Sequence, residues 1–206
     1  MTNYTLIYFG VRGYGEPARL MLKYAGVDFE DKIVDMKDWP KMKPTMPFKQ
    51  LPVLQFGKTQ IAQSFAIYRF LGKQFKLYPL CKVTSSLVDG IGDYIHEFSS
   101  KIGTYFLVLS GFKEGDKDDL YKNTVLPAVE EYFPIIASWI QNSNTGFLTK
   151  AGLTWVDFFA AEKLGNVVNT DEEIAKKYPE IKEYIDKFYT LPKIKEYVET
   201  RPKLLY

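Results

Sequence analysis

The chain has 206 residues, 46% of them hydrophobic and 25% charged, enough to bury one substantial core or two small ones. Its net charge of +2 comes from 27 basic and 25 acidic residues mixed along the chain, with no basic block of the length a nucleic acid or an anionic membrane would require. The single cysteine, Cys81, excludes an internal disulfide framework and predicts a reducing, cytoplasmic setting. The N-terminal residues lack the charged region and apolar run of a signal peptide, and no stretch of about 18 apolar residues offers a membrane span.

Tyr4 to Phe9 is rich in β-formers and predicts a first strand, followed by a glycine-punctuated turn from Gly10 to Gly15. Pro17 suits the first turn of a helix, where its missing N–H has no partner to lose. Leu20, Met21, Tyr24 and Ala25 follow at helical spacing, with Gly26 as a stop. Val27 to Val34 predicts a second strand, which a right-handed crossover would set parallel to the first. Asp35 to Gln50 holds Pro40, Pro44 and Pro47, too many breaks for one long helix. Pro52 to Phe56 and Thr59 to Ala62 flank Gly57-Lys58, a two-residue hairpin turn. Ser64 is then expected to cap a helix through Ile67, Tyr68, Phe70 and Leu71.

After Pro79 strand signals fade. Amphipathic segments predict helices over about 84–112, 116–141, 154–166 and 181–191, with Pro127 and Pro134 bending or interrupting the second. Thr154-Trp155-Val156-Asp157 has the spacing of a capping box. The expected fold is α/β plus all-α: a thioredoxin-like domain over residues 1–78, then an all-helical domain over 79–206.

YTLIYFGVRGYGEPARL, then Trp39 and Lys43 before MPFKQLPVL, then IAQSFAIYRFL and finally GLTWVDFFAAE, spread over the whole chain. In this order the motifs resemble the cytosolic glutathione transferases, nearest the sigma class and related nematode forms. The resemblance implies an enzyme that adds the thiolate of glutathione to hydrophobic electrophiles. Glutathione is then a co-substrate, and no cofactor or metal is implied.

By that resemblance Tyr8 is the catalytic residue. A free thiol with pKa about 8.5 is only about 3% ionised at pH 7, and the thiolate is the nucleophile. Lowering that pKa by about 2 units takes about 2.7 kcal/mol, and one hydrogen bond to a charged group supplies about 1.5–3 kcal/mol. One aimed phenol is nearly sufficient.

The remaining glutathione contacts implied are Trp39 and Lys43 at the glycyl end, Gln50, and Leu51 with a cis Pro52 at the cysteinyl part. Gln63 and Ser64 would hold the γ-glutamyl carboxylate, with Glu97 contributed by a partner subunit of a homodimer. The positive end of the helix at Ser64 suits an anion on general grounds. A hydrophobic substrate would lie against Phe9, Val11, Tyr14, Tyr105, Phe106 and Leu205. Tyr14 stands where many sigma-class members carry Arg, and His96 weakens any metal site borrowed from relatives. Thiol–disulfide exchange would need a cysteine in the turn after the first strand, and Val11-Arg12-Gly13-Tyr14 supplies none. Alternative roles on the same scaffold are carriage of haem or other large apolar ligands and glutathione-dependent prostaglandin isomerisation.

Overall fold

The computed structural model describes residues 3–202, which divide into two compact units: 3–78 together with 191–202, and 79–190. In the first unit, β1 (Tyr4–Phe9), α1 (Glu16–Tyr24) and β2 (Phe29–Val34) form a β-α-β turn. A segment of short turns with one helix, α2 (Trp39–Met42), leads to β3 (Val53–Phe56), β4 (Thr59–Ala62) and α3 (Ser64–Gln74). The sheet order is β2-β1-β3-β4, with β1 parallel to β2 and the other pairs antiparallel. This is the thioredoxin-like arrangement.

Alternation along β1 divides its side chains between the two faces of the sheet. Ile7 joins Val34, Val53 and Ala62 in one buried cluster, onto which Phe9, Trp39, Met42, Met46 and Leu51 pack. Leu6 and Tyr8, equally buried, point to the other face. β2 is exposed along most of its length, as an edge strand allows, so its hydrophobic alternation is weak.

The last helix of the described residues, α10 (Pro192–Thr200), groups with this first unit. Tyr197 Oη donates to Glu16 Oε1 at 3.0 Å, and Arg201 Nη1 donates to the same oxygen at 2.7 Å.

The second unit is helical: α4 (Lys82–Leu109), α5 (Lys117–Leu120), α6 (Leu126–Ser143), α7 (Trp155–Val168), α8 (Glu172–Lys177) and α9 (Pro179–Tyr189). The second long segment is interrupted before either proline. A π-helical turn over Tyr121–Val125 separates α5 from α6, Pro127 occupies the first turn of α6, and Pro134 stays inside it. Pro127 is tolerated there because the first helical N–H groups have no intrahelical acceptor. α7 is buried along its whole length. Gly92 of α4 makes room for it, since a Cβ there would stand 2.4 Å from the Trp155 ring. The capping box is present, with Asp157 accepting from the Thr154 N–H at 2.7 Å. No described helix is long and apolar enough to cross a membrane.

Candidate active site at the end of the four-stranded sheet

Three strands bring the glutathione candidates of the first unit to one end of the sheet. Ile7 pairs with Val53 and Val53 with Ala62. One step further along the same registers lie Tyr8, Pro52 and Gln63. The loop carrying Trp39 and Lys43 leaves the same end, because Phe9 pairs with Val34 at the close of β2. Ligands of sheets with parallel strands gather at this carboxyl end.

Tyr8 is buried, with 7% of its surface exposed, and the turn after β1 wraps over its ring. Gly15 lies against the ring, where a Cβ would come within 2.3 Å of Cδ1. The Tyr14 N–H donates to Tyr8 Oη at 3.0 Å, and the Arg19 guanidinium stands 5.8 Å from the ring centroid. Burial holds the phenol pKa above its usual value, against the smaller pull of the Tyr14 N–H and Arg19. The phenol therefore keeps its proton at neutral pH. With an acceptor position of Oη taken by the amide, that proton is available to donate.

Arg19 fixes the approach to this turn. Its guanidinium donates to the carbonyls of Phe9 at 3.1 Å and Val11 at 2.8 Å. It also pairs with Asp31 at 2.8 Å and Glu16 at 3.2 Å. Sequence reasoning missed this cluster; the arginine one helical turn beyond Glu16 was the available signal.

The Leu51–Pro52 peptide bond is cis, as the resemblance implies. Gln63 takes φ +71° and ψ +117°, a conformation that non-glycine residues seldom adopt and that is often kept at binding sites. Its side chain donates to Gln50 Oε1 at 2.8 Å, joining two of the named contacts. The helix α3 starts at Ser64, so Gln63, and not Ser64, occupies the cap position, and it makes no side-chain cap bond. The helix N-terminus that Gln63 leaves uncapped is the point where an anion is expected. Trp39 is half-buried and Lys43 exposed.

The hydrophobic candidates are more dispersed. Val11 and Tyr14 are half-buried on the turn, whereas Phe9 packs edge-on against Trp39 at 5.5 Å. Glu97, Tyr105 and Phe106 belong to α4 of the second unit. Glu97 is exposed, Phe106 is 2% exposed, and the Tyr105 ring packs on Phe106 and Tyr121. Leu205 lies outside the described residues. Among the described residues no group of His, Cys, Asp and Glu is arranged to hold a metal.

Residues 4–73 match the family model described as glutathione S-transferase, N-terminal domain, and residues 96–201 match its C-terminal domain. Glutathione S-transferase 1 of Ascaris suum is 36% identical over 206 residues, covering 100% of each chain. The solved structure of a Nu-class glutathione transferase from Haemonchus contortus superposes with a TM-score of 0.88 at 34% identity, over 100% of both chains. A prostaglandin synthase D of Nilaparvata lugens superposes with a TM-score of 0.84 at 35% identity, over 97% of this chain and 98% of that one.

Proposed function

The chain belongs to the glutathione S-transferase family and is a glutathione transferase; we propose that Tyr8 is the residue that stabilises its thiolate. The observation that carries this reading is the hydrogen bond from the Tyr14 N–H to Tyr8 Oη. It occupies the phenol as an acceptor and leaves its O–H to be donated to sulfur. The sulfur lone pair then forms the new C–S bond. In a substitution the leaving group departs with its bonding pair; in an addition the displaced π pair moves onto the electrophile's activating group and is taken up by a proton from water. At about 1.5–3 kcal/mol, one charge-assisted hydrogen bond accounts for most of the thiolate stabilisation needed.

In this reading Gln63 and the N-terminus of α3 hold the γ-glutamyl carboxylate. Leu51 and Pro52 with Gln50 hold the cysteinyl part, and Trp39 with Lys43 the glycyl end. Val11, Tyr14, Phe9, Tyr105, Phe106 and Leu205 accept hydrophobic electrophiles. The working form is a cytoplasmic homodimer in which Glu97 of one subunit meets the glutathione amino group of the other. Phe48, 74% exposed on its loop at φ +50°, is offered as a dimer anchor. The sigma-like assignment belongs to the same proposal, and so does carriage of haem. Prostaglandin isomerisation is a second reading, favoured by the likeness to the Nilaparvata lugens synthase.

Tyr8→Phe keeps the ring and removes the donor. Turnover should fall by one to two orders of magnitude at neutral pH, about 1.4–2.7 kcal/mol, with glutathione affinity little changed. The thiolate absorbance of the glutathione complex should vanish at neutral pH. An unchanged rate removes Tyr8 from the mechanism.

A further inference from the structure

Tyr68 sits on α3 with 0% of its surface exposed. A ring buried for packing alone needs no hydroxyl, and a buried hydroxyl costs stability unless it is bonded. Here it is bonded: Tyr68 Oη donates to the main-chain carbonyl of Tyr14 at 2.5 Å. The N–H of the same Tyr14 donates to Tyr8 Oη at 3.0 Å. Tyr14 is thus held on both of its main-chain groups, by a side chain of α3 on one and by the phenol of β1 on the other.

The turn in question contains Gly10, Gly13 and Gly15, with Gly13 at φ +39°. A turn so rich in glycine has many accessible shapes, and its working shape has to be imposed by its bonds. Arg19 imposes it on the first half, through the Phe9 and Val11 carbonyls. Tyr68 imposes it on the last. A hydrogen bond weakens steeply with misalignment, so a small rotation at Tyr14 would loosen its grip on the phenol oxygen.

We propose that Tyr68 is a positioning residue for the transferase reaction, its hydroxyl fixing Tyr14 so that the Tyr14 amide aims the Tyr8 phenol at the glutathione sulfur. The proposal rests on the reading of Tyr8 given above and extends it to a residue that touches neither glutathione nor electrophile.

The test is Tyr68→Phe, read by titrating the thiolate absorbance of its glutathione complex against pH, with thermal unfolding as the control for folding. The midpoint should rise by about 0.5–1 pH unit, which at pH below the midpoint lowers turnover by about 3–10-fold. The KM for glutathione should stay within about twofold, and the rate loss should shrink above the new midpoint. In a Tyr8→Phe background the same substitution should cost nothing further, because its effect passes through Tyr8. A folded Tyr68→Phe with an unmoved midpoint overturns the proposal, and so does an equal loss in both backgrounds. Should Tyr68→Phe fail to fold, Tyr68→Met removes the same donor and is read the same way. If Tyr8→Phe itself leaves the midpoint where it was, the reading of Tyr8 has failed and this proposal falls with it, an outcome distinct from the other two.

Discussion

A Cβ placed on Gly13 would stand 2.5 Å from the hydroxyl oxygen of Tyr8. A non-bonded carbon and oxygen do not approach so closely, so either the turn or the phenol must move. The φ of +39° adds a backbone penalty of about 1 kcal/mol for any L side chain. Gly13→Ala should therefore lose about 10–100-fold in kcat with the thiolate midpoint displaced upward. Gly15→Ala, which strikes the ring carbons instead, should mainly lower the melting temperature. Thiolate titration and thermal unfolding on the two variants separate these effects. Equal behaviour in both would show that the Tyr8 hydroxyl has no special sensitivity to its roof.

Arg19 is the centre of a buried ionic cluster, with only 5% of its side chain exposed. Removing one partner of such a cluster leaves charge and carbonyl groups unpaired, at a cost of about 3–5 kcal/mol. Arg19→Met should produce a loss of that order in chemical denaturation. Arg19→Lys should fall between the two, because an ammonium cannot fork between Asp31 and the Phe9 and Val11 carbonyls. A loss in Arg19→Met below about 1 kcal/mol would mean that the cluster is energetically close to neutral.

Burial pushes the Asp157 carboxyl up to about 6, against the opposing hydrogen bonds from Thr154 and Leu148. An unfolded Asp has a pKa of about 3.9, so between the two values the native state holds more protons than the unfolded one. Stability from this group is therefore complete below about pH 4 and is lost as pH rises toward 6. The shift corresponds to about 3 kcal/mol. Asp157→Asn should flatten the stability profile across that window, as measured by denaturant unfolding at closely spaced pH values. A profile of unchanged slope would assign the pH dependence to other groups.

Glu97→Ala should raise the glutathione dissociation constant by several-fold to about a hundredfold while leaving the thiolate midpoint in place. Mixed dimers of a Glu97→Ala chain with a Tyr8→Phe chain sharpen the test. A carboxylate borrowed across the interface leaves one full-affinity active site in such a dimer. A carboxylate used within its own chain leaves only a weakened one.

Much of the fold was legible because its signals are local. The β-rich run into glycines at Tyr8, Pro17 at a helix start and the Thr154–Asp157 spacing each act over a few residues. The candidate site was proposed only through motif resemblance, since a single Tyr among 15 carries no mark of catalysis. What stayed hidden depends on pairs far apart in the chain. Tyr68 meets Tyr14 across 54 residues, and Arg201 meets Glu16 across 185. No periodicity encodes such contacts. The unusual backbone at Gln63 was hidden for a different reason: glutamine has no preference for positive φ, so only surrounding structure could have put it there. The short helix α8 was missed because its six residues are too few to show a period.

The return of α10 to the first unit has a consequence for how the protein is made. Glu16 is 2% exposed, and Tyr197 and Arg201 reach it from 181 and 185 residues further along. A ribosome that has released the first 78 residues has delivered the whole four-stranded sheet but neither of these donors. The sheet can form early, yet the pocket around Glu16 cannot close until residues 197–201 have emerged. Synthesis thus delivers the α/β unit in two instalments, its sheet before residues 79–190 and its α10 clasp after them.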